Sequence, residues 1–491
     1  MSYSAAVADQ DARYYRTDPG TRPSEENGCR VKGLIVNTEK TIIAPATPPG
    51  EGGLAVVRLS GPSSEELLRR FFKPSGKFPS LDSHRLYHGH LVDANGSLID
   101  EVMAVIMRSP RTFTREDVAE IHCHGGPLIV QQILDLFIDA GAILAQPGEF
   151  TLRAFLNGRI DLAQAEAVAD LIHARSVSAQ RVALNQLQGK LSQIIRIYHR
   201  QVVDLLALVE AHIDFLEEDI SPPQPDVLCR SAEDIIEAIE DLIAGFNSGR
   251  MIHDGLRILL AGKPNVGKSS LLNCLLGESR AIVSPSAGTT RDIIEESLLL
   301  HDLPVRLIDT AGIRHTDDSV EQEGVRRARE KAGSADLVLL LINADQHPDQ
   351  DDLLALDSCR DQKLLLVINK QDLSPSVQLS SPWSDYPRVF ISAKYRQNID
   401  GLIEAVRDLA GLSGGADSSE SVMLYERRHY QSLLQAKSCL QRFISGCRAG
   451  FGFELLALDL RDTLRAIGLI TGETTPDQVL DRIFSRFCIG K

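Results

Sequence analysis

The run Gly262-Lys-Pro-Asn265-Val266-Gly267-Lys268-Ser269-Ser270 has the spacing GxxxxGKS, and that spacing suits the binding of a nucleotide's phosphates. Glycines let consecutive backbone N–H groups close around phosphate oxygens, Lys268 reaches the outer phosphates, and the Ser269 hydroxyl is placed to hold Mg²⁺. An apolar strand, Leu256 to Ala261, leads into the loop, and a run with helical spacing from Ser270 to Leu276 follows it. The N-terminus of that helix turns its partial positive charge towards the anion. Three later stretches choose guanine over adenine. Asp309-Thr310-Ala311-Gly312 ends the apolar run Val305 to Ile308, which sets a carboxylate at a strand tip near the Mg²⁺ shell and a glycine where backbone can approach the last phosphate. Asn369-Lys370-Gln-Asp372 ends the strand Leu364 to Ile368. A carboxylate accepts hydrogen bonds and donates none, so Asp372 suits the N1–H and exocyclic amine of guanine. Ser392-Ala393-Lys394 follows the strand Arg388 to Ile391 and offers backbone contact to the guanine oxygen.

Between the phosphate loop's helix and the next strand lies a stretch containing Ser284-Pro285-Ser286-Ala287-Gly288-Thr289-Thr290, where a phosphate-sensing loop is expected, with Thr290 the second hydroxyl candidate for Mg²⁺. Ile313 follows Gly312, where many GTPases carry a glutamine that orients the attacking water. An isoleucine cannot do so, and the task falls to another side chain or to a partner.

These residues need elements to hold them. At 491 residues the chain has room for roughly three domains. No apolar run reaches the ~18 residues of a membrane span, and residues 1–32 read as a polar tail without a signal core, so a cytoplasmic protein is expected. Eight cysteines without paired spacing fit reduced thiols. Asp and Glu number 67 against 52 Lys and Arg, a formal charge of -15, which argues against non-specific nucleic-acid binding. Residues 33–154 read as an α+β domain, with strands over Leu34 to Ile43, Leu54 to Leu59 and Val102 to Met107, and a helix started by Pro127. His122, Cys123 and His124 read as strand residues of mixed burial rather than a metal site, because neighbours in a strand point to opposite faces.

From residue 155 the pattern turns helical, with Asp161 and Gln164 spaced for a capping box. Residues 155–250 and 413–491 are expected to form two parts of one helical domain, with the α/β nucleotide module, 251–412, inserted between them. The shorter second block left alone would expose Leu455, Leu456, Leu460 and Leu464. The fold class is thus multidomain α/β and α+β, a P-loop module within a helical bundle behind an N-terminal α+β domain.

The phosphate loop, Gly288-Thr-Thr-Arg-Asp292, Asp309-Thr-Ala-Gly-Ile-Arg314, Val320-Glu321-Gln-Glu-Gly324, the terminal Cys488-Ile-Gly-Lys491, Ala46-Thr-Pro-Pro-Gly-Glu-Gly-Gly53 and the run from Pro147 to Ala167 together resemble the tRNA-modification GTPase family MnmE (TrmE). The resemblance covers the chain from about residue 33 to its end. It implies an N-terminal domain that dimerises and binds a tetrahydrofolate (a 5-formyl or 5,10-methylene form), and a potassium-activated G domain that pairs with its twin when GTP is bound. It places K⁺ among Asn265, Ser284, Ser286 and Thr289, with side chains or backbone carbonyls as ligands, and makes Glu321 the residue that orients water. Folate contacts fall on Arg58, Glu120, Arg159 and Lys491, and Cys488 is either a catalytic thiol beside folate or a packed one. The implied function is GTP-driven, folate-dependent addition of a carboxymethylaminomethyl or aminomethyl group to C5 of wobble uridines in tRNA, with the flavoprotein MnmG (GidA) as partner. A regulatory GTPase of ribosome assembly and a folate-dependent methyltransferase are the alternative readings. The C-terminal block, 413–491, disfavours the first, since it reads as helices without a βααβ RNA-binding pattern.

Overall fold

The computed structural model describes residues 39–76, 80–214, 224–278, 296–308, 333–373, 379–412 and 422–490. The chain divides into two units, Met1–Arg153 with Asp477–Lys491, and Ala154–Pro476.

In the first unit, β1 (Ile42–Pro45), β2 (Gly52–Ser60), α1 (Ser64–Phe71), β3 (Phe72–Pro74), β4 (Arg85–Val92), β5 (Leu98–Met107), β6 (Val118–Gly125), α2 (Pro127–Asp139) and β7 (Ile143–Leu144) precede α3 (Glu149–Leu156), within which the division falls. The seven strands run in the order β3-β4-β5-β6-β2-β1-β7, antiparallel except for the β1–β7 pair. Alternation sends Val57, Leu59, Ala104, Ile121 and Cys123 into one core with Leu68 and Phe71 of α1 and Phe137 of α2. The described part of the first expected strand is shorter than the sequence suggested: Glu39 and Lys40 lie in a turn and β1 begins at Ile42. Buried Arg153 is matched by Glu116 at 3.1 Å, Glu149 at 2.9 Å and the Lys40 carbonyl at 3.0 Å, the pairing a buried guanidinium requires. The His-Cys-His run lies in β6 as expected. Cys123 points inward with its thiol on the Ala55 carbonyl, while His124 engages Asp100 at 2.7 Å.

In the second unit, α4 (Leu162–His173), α5 (Val177–Leu187), α6 (Lys190–Asp214), α7 (Pro225–Ala244) and α8 (Phe246–Asp254) lead into β8 (Leu256–Ala261). The α/β module continues with α9 (Lys268–Glu278), β9 (Glu296–Leu300), β10 (Leu303–Ile308), β11 (Leu337–Asn343), α10 (Gln350–Cys359), β12 (Leu364–Asn369), β13 (Arg388–Phe390) and α11 (Ile399–Ala410), and α12 (Arg427–Ala449) and α13 (Phe453–Thr471) follow. Its sheet order is β13-β12-β11-β8-β10-β9, parallel except for β9. Central strands β11 and β12 are buried along their whole length, as strands covered on both faces must be.

One apolar cluster joins Ile195, Val202 and Val209 of α6 and Ile235 and Ile239 of α7 to Leu433, Leu440 and Phe443 of α12 and Leu456, Leu460 and Ile467 of α13. Helices from both sides of the module therefore share a core, as an insertion requires. Leu455 departs from expectation: it is 58% exposed, on the outer side of α13. The expected capping box opens α4, with the Gln164 N–H on Asp161 at 2.9 Å and the Asp161 N–H on Gln164 at 3.0 Å.

Several contacts bind the module to the helices within this unit. Asp302, in the β9–β10 turn, accepts the N–H groups of Val177 and Ser178 at 2.7 and 3.0 Å, capping α5 beside its own Ser176 cap. His253, at the end of α8, sits between Asp170 at 3.3 Å and Asp254 at 3.0 Å and stacks on Tyr425, whose hydroxyl donates to Asp170. A Cβ on Gly249 would strike the Leu424 carbonyl, so the segments entering and leaving the module pass in direct backbone contact.

The terminal helix α14 (Asp477–Phe484) packs within the first unit. Gly148, at φ 72°, lies where a Cβ would be 2.6 Å from the Phe484 carbonyl, Ile489 packs with Ile42, Ala44 and Phe150, and Gly490 abuts the Pro45 carbonyl. Apolar spacing announces that such a helix has a buried face, and leaves open which core receives it.

Candidate functional site

The phosphate loop is held by three separate constraints. At its start, Gly262 takes φ 132° and passes so close to β11 that a Cβ would lie 2.5 Å from the Leu341 carbonyl. Asn265, at φ 66°, is a non-glycine residue in left-handed conformation at the loop's exposed tip. Val266 is fully buried and plugs the loop into the module's core. Gly267, at φ 97°, leaves room for Asn369, whose side-chain amide donates to the Val266 carbonyl at 2.8 Å. The oxygen of the same amide accepts the Ala393 N–H at 3.0 Å, so one buried side chain ties the phosphate loop to the two loops expected to hold the base.

Lys268 opens α9, and its ammonium donates to the carbonyls of Gly262 and Lys263 at 2.7 and 2.8 Å. Burial lowers its pKa. Ser269 and Ser270 occupy the first turn of α9, exposed, where the helix N-terminus favours an anion. On the base side, Lys370 takes φ 64° and exposed Asp372 accepts the hydroxyl of buried Ser392 through Oδ1 at 2.6 Å. The N–H groups of Ser392 and Ala393 are spent on the Gln397 carbonyl and on Asn369, which leaves that of Lys394 as the donor within Ser392–Lys394. The Lys394 ammonium lies 5.0 Å from the centre of the Tyr395 ring.

Ser284, Pro285, Ser286, Ala287, Gly288, Thr289, Thr290, Asp309, Thr310, Ala311, Gly312, Glu321 and Lys491 lie outside the described residues.

Sequence reasoning passed over Lys263. Its ammonium bridges Asp349 at 2.6 Å and Asp352 at 2.9 Å, and the hydrogen bond to Asp349, then the one to Asp352, raises its pKa above the usual lysine value. Those carboxylates form the capping box of α10: Asp349 accepts the N–H groups of Asp351 and Asp352, and the Asp349 N–H donates to Asp352. Asp349-x-x-Asp352 before Leu353-Leu354 is a legible helix start; nothing local links it to a lysine 86 residues earlier.

In the first unit, Arg58 and Glu120 face each other across β2 and β6 in register, with Nε 2.7 Å from Oε1, and His122 lies 3.5 Å from the other carboxylate oxygen. The Arg58 guanidinium stands 5.9 Å from the Phe150 ring centre. Two of the expected folate residues are thus neighbours, half-buried. Arg159 belongs to the second unit. Cys488 is exposed near the end of the first unit. Among the described residues no cluster of His, Cys, Asp and Glu has the geometry of a metal site, and no helix is long and apolar enough to cross a membrane.

Two family models match the chain, the GTP-binding protein TrmE N-terminus over residues 41–159 and the MnmE helical domain over residues 162–488. A protein named tRNA modification GTPase MnmE from Syntrophotalea carbinolica is 55% identical, covering 92% of this chain and 99% of that one. Its namesake from Geobacter sulfurreducens is 50% identical over the same shares. Among solved structures, the G domain of the T. maritima FeoB iron transporter aligns at 27% identity with 32% of this chain and 98% of its own, at a TM-score of 0.25. Matched along nearly its whole length by such relatives and by both family models, the chain belongs to the MnmE (TrmE) family of tRNA-modification GTPases.

Proposed function

We propose that the chain hydrolyses GTP in the Gly262–Ser269 loop and uses the cycle to drive addition of a carboxymethylaminomethyl or aminomethyl group at C5 of wobble uridines in tRNA. The observation that supports this best is Asn369, which braces the Val266 carbonyl and the Ala393 N–H together and so sets Asp372 and the phosphate loop in one rigid frame. In that frame Asp372 accepts from the guanine N1–H and amine, the Lys394 N–H donates to the guanine oxygen, and Ser269 with Thr290 holds Mg²⁺. Asn265, with Ser284, Ser286 and Thr289, would hold K⁺ through hard oxygen ligands, which would supply positive charge beside the phosphates, and Glu321 would orient water. Helical movement follows hydrolysis, and the Asp302 cap on α5 is a path for it, since β9 and β10 are the strands between the two phosphate-sensing segments.

In the first unit Glu120 suits a pterin edge, which presents donors like those of guanine, and Arg58 pairs with it; Arg159 and Lys491 are the remaining proposed folate contacts. Binding of a tetrahydrofolate by the purified chain tests that part. A homodimer and the flavoprotein MnmG (GidA) are the proposed partners, with tRNA held through the complex.

The nucleotide assignment is tested by Asp372→Asn. The new amide donates where the carboxylate accepted, so GTP use should fall by roughly a hundredfold or more while xanthosine triphosphate becomes a substrate. An unchanged preference for GTP would remove Asp372 from the base site.

A further inference from the structure

We infer that Lys263 is a positioning residue for GTP, which clamps the first half of the phosphate loop to the N-terminus of α10 and shields the triphosphate from the two carboxylates there. The inference rests on the phosphate-loop assignment above and goes beyond the residues expected to touch nucleotide. Lys263 carries its main chain in the loop and its charge out of it. Its carbonyl accepts from Lys268, while its ammonium reaches Asp349 and Asp352.

The Lys263 side chain is 14% exposed, that of Asp352 3% and that of Asp349 54%, so the Asp352 arm of the bridge is the poorly screened one. Asp352 spends Oδ2 on Lys263 and on the Asp349 N–H, and its buried Oδ1 has no partner in the structure. A buried carboxylate so placed depends on Lys263 for its compensation. Neutralising the lysine leaves two negative charges beside a loop that must accept a triphosphate, and frees the Gly262–Lys263 turn from α10. Both effects weaken nucleotide binding, and neither touches the reacting atoms.

The test is steady-state hydrolysis by the full chain, with Tm recorded alongside, for Lys263→Met, Lys263→Arg, Lys263→Met/Asp352→Asn and Lys268→Ala. Lys263→Met should raise the KM for GTP about tenfold, with kcat within about twofold. The increase should shrink at high salt, and Lys263→Arg and the double variant should each recover most of it. A Tm loss in Lys263→Met with unchanged KM would overturn the inference and leave Lys263 a structural ion pair, as would a fall in kcat at constant KM. Lys268→Ala keeps the two failures apart. If it retains GTP binding, the loop assignment itself is wrong; if it loses binding while Lys263→Met behaves as wild type, the clamp alone fails.

Discussion

At Asn265 the backbone is left-handed without the freedom of glycine, a conformation that costs of order 1 kcal/mol and persists where neighbours enforce it. The Gly262 passage and the buried Val266 do so here, and hold the Asn265 side chain at the loop's tip. If that side chain holds K⁺, hydrolysis should be at least about tenfold faster in K⁺ than in Na⁺, and Asn265→Ala should erase most of the difference. Equal rates of the wild-type chain in the two salts would remove the cation from the mechanism. Residues of this kind were legible in the sequence because their roles depend on immediate neighbours: the glycines of the phosphate loop, Asp161 with Gln164, Asn369 at a strand end. Lys263 was not legible, since Asp352 lies 89 residues away and the contact exists only once β8 and β11 have paired.

Elements were legible through their periods, and their partners were not. The helices flanking the module showed apolar spacing and packed as one bundle, yet α14 showed the same kind of spacing and went to the other unit. Nothing near His253 in the sequence announces that α8 brings it against Asp170 of α4 and Tyr425. Burial alone would lower the pKa of His253, but the hydrogen bonds it donates to Asp170 and Asp254 outweigh it and raise the value to about 10. A histidine whose pKa rises on folding contributes its full stabilisation below the unfolded value, about 6.5, and loses it as pH climbs to the folded value. Thermal stability should therefore decline between about pH 6.5 and 10, and His253→Gln should flatten that slope while lowering Tm near neutrality. Parallel pH profiles for wild type and variant would show that His253 does not hold its proton in the folded chain.

For the whole molecule the issue is how loss of one phosphate reaches the helices. The β9–β10 turn carries His301 at φ 44° and Asp302 at φ 66°, two non-glycine residues in the left-handed region. Arg407 of α11 holds the His301 carbonyl at 3.0 Å, and Asp302 holds α5. Removal of such a cap costs about 1–2 kcal/mol, a scale that nucleotide-dependent movement of a hairpin can supply or withdraw. The contact was hidden from sequence because Asp302 and Val177 are 125 residues apart, in segments whose own patterns speak of a turn and a helix start.

The most direct measurement is amide hydrogen exchange at Val177 and Ser178 in the full chain, with a non-hydrolysable GTP analogue and then with GDP. The expected result is a difference in protection of about tenfold between the two states at these two amides, lost in Asp302→Ala. Equal protection in both states would contradict the claim that the nucleotide's last phosphate governs the helices through this turn.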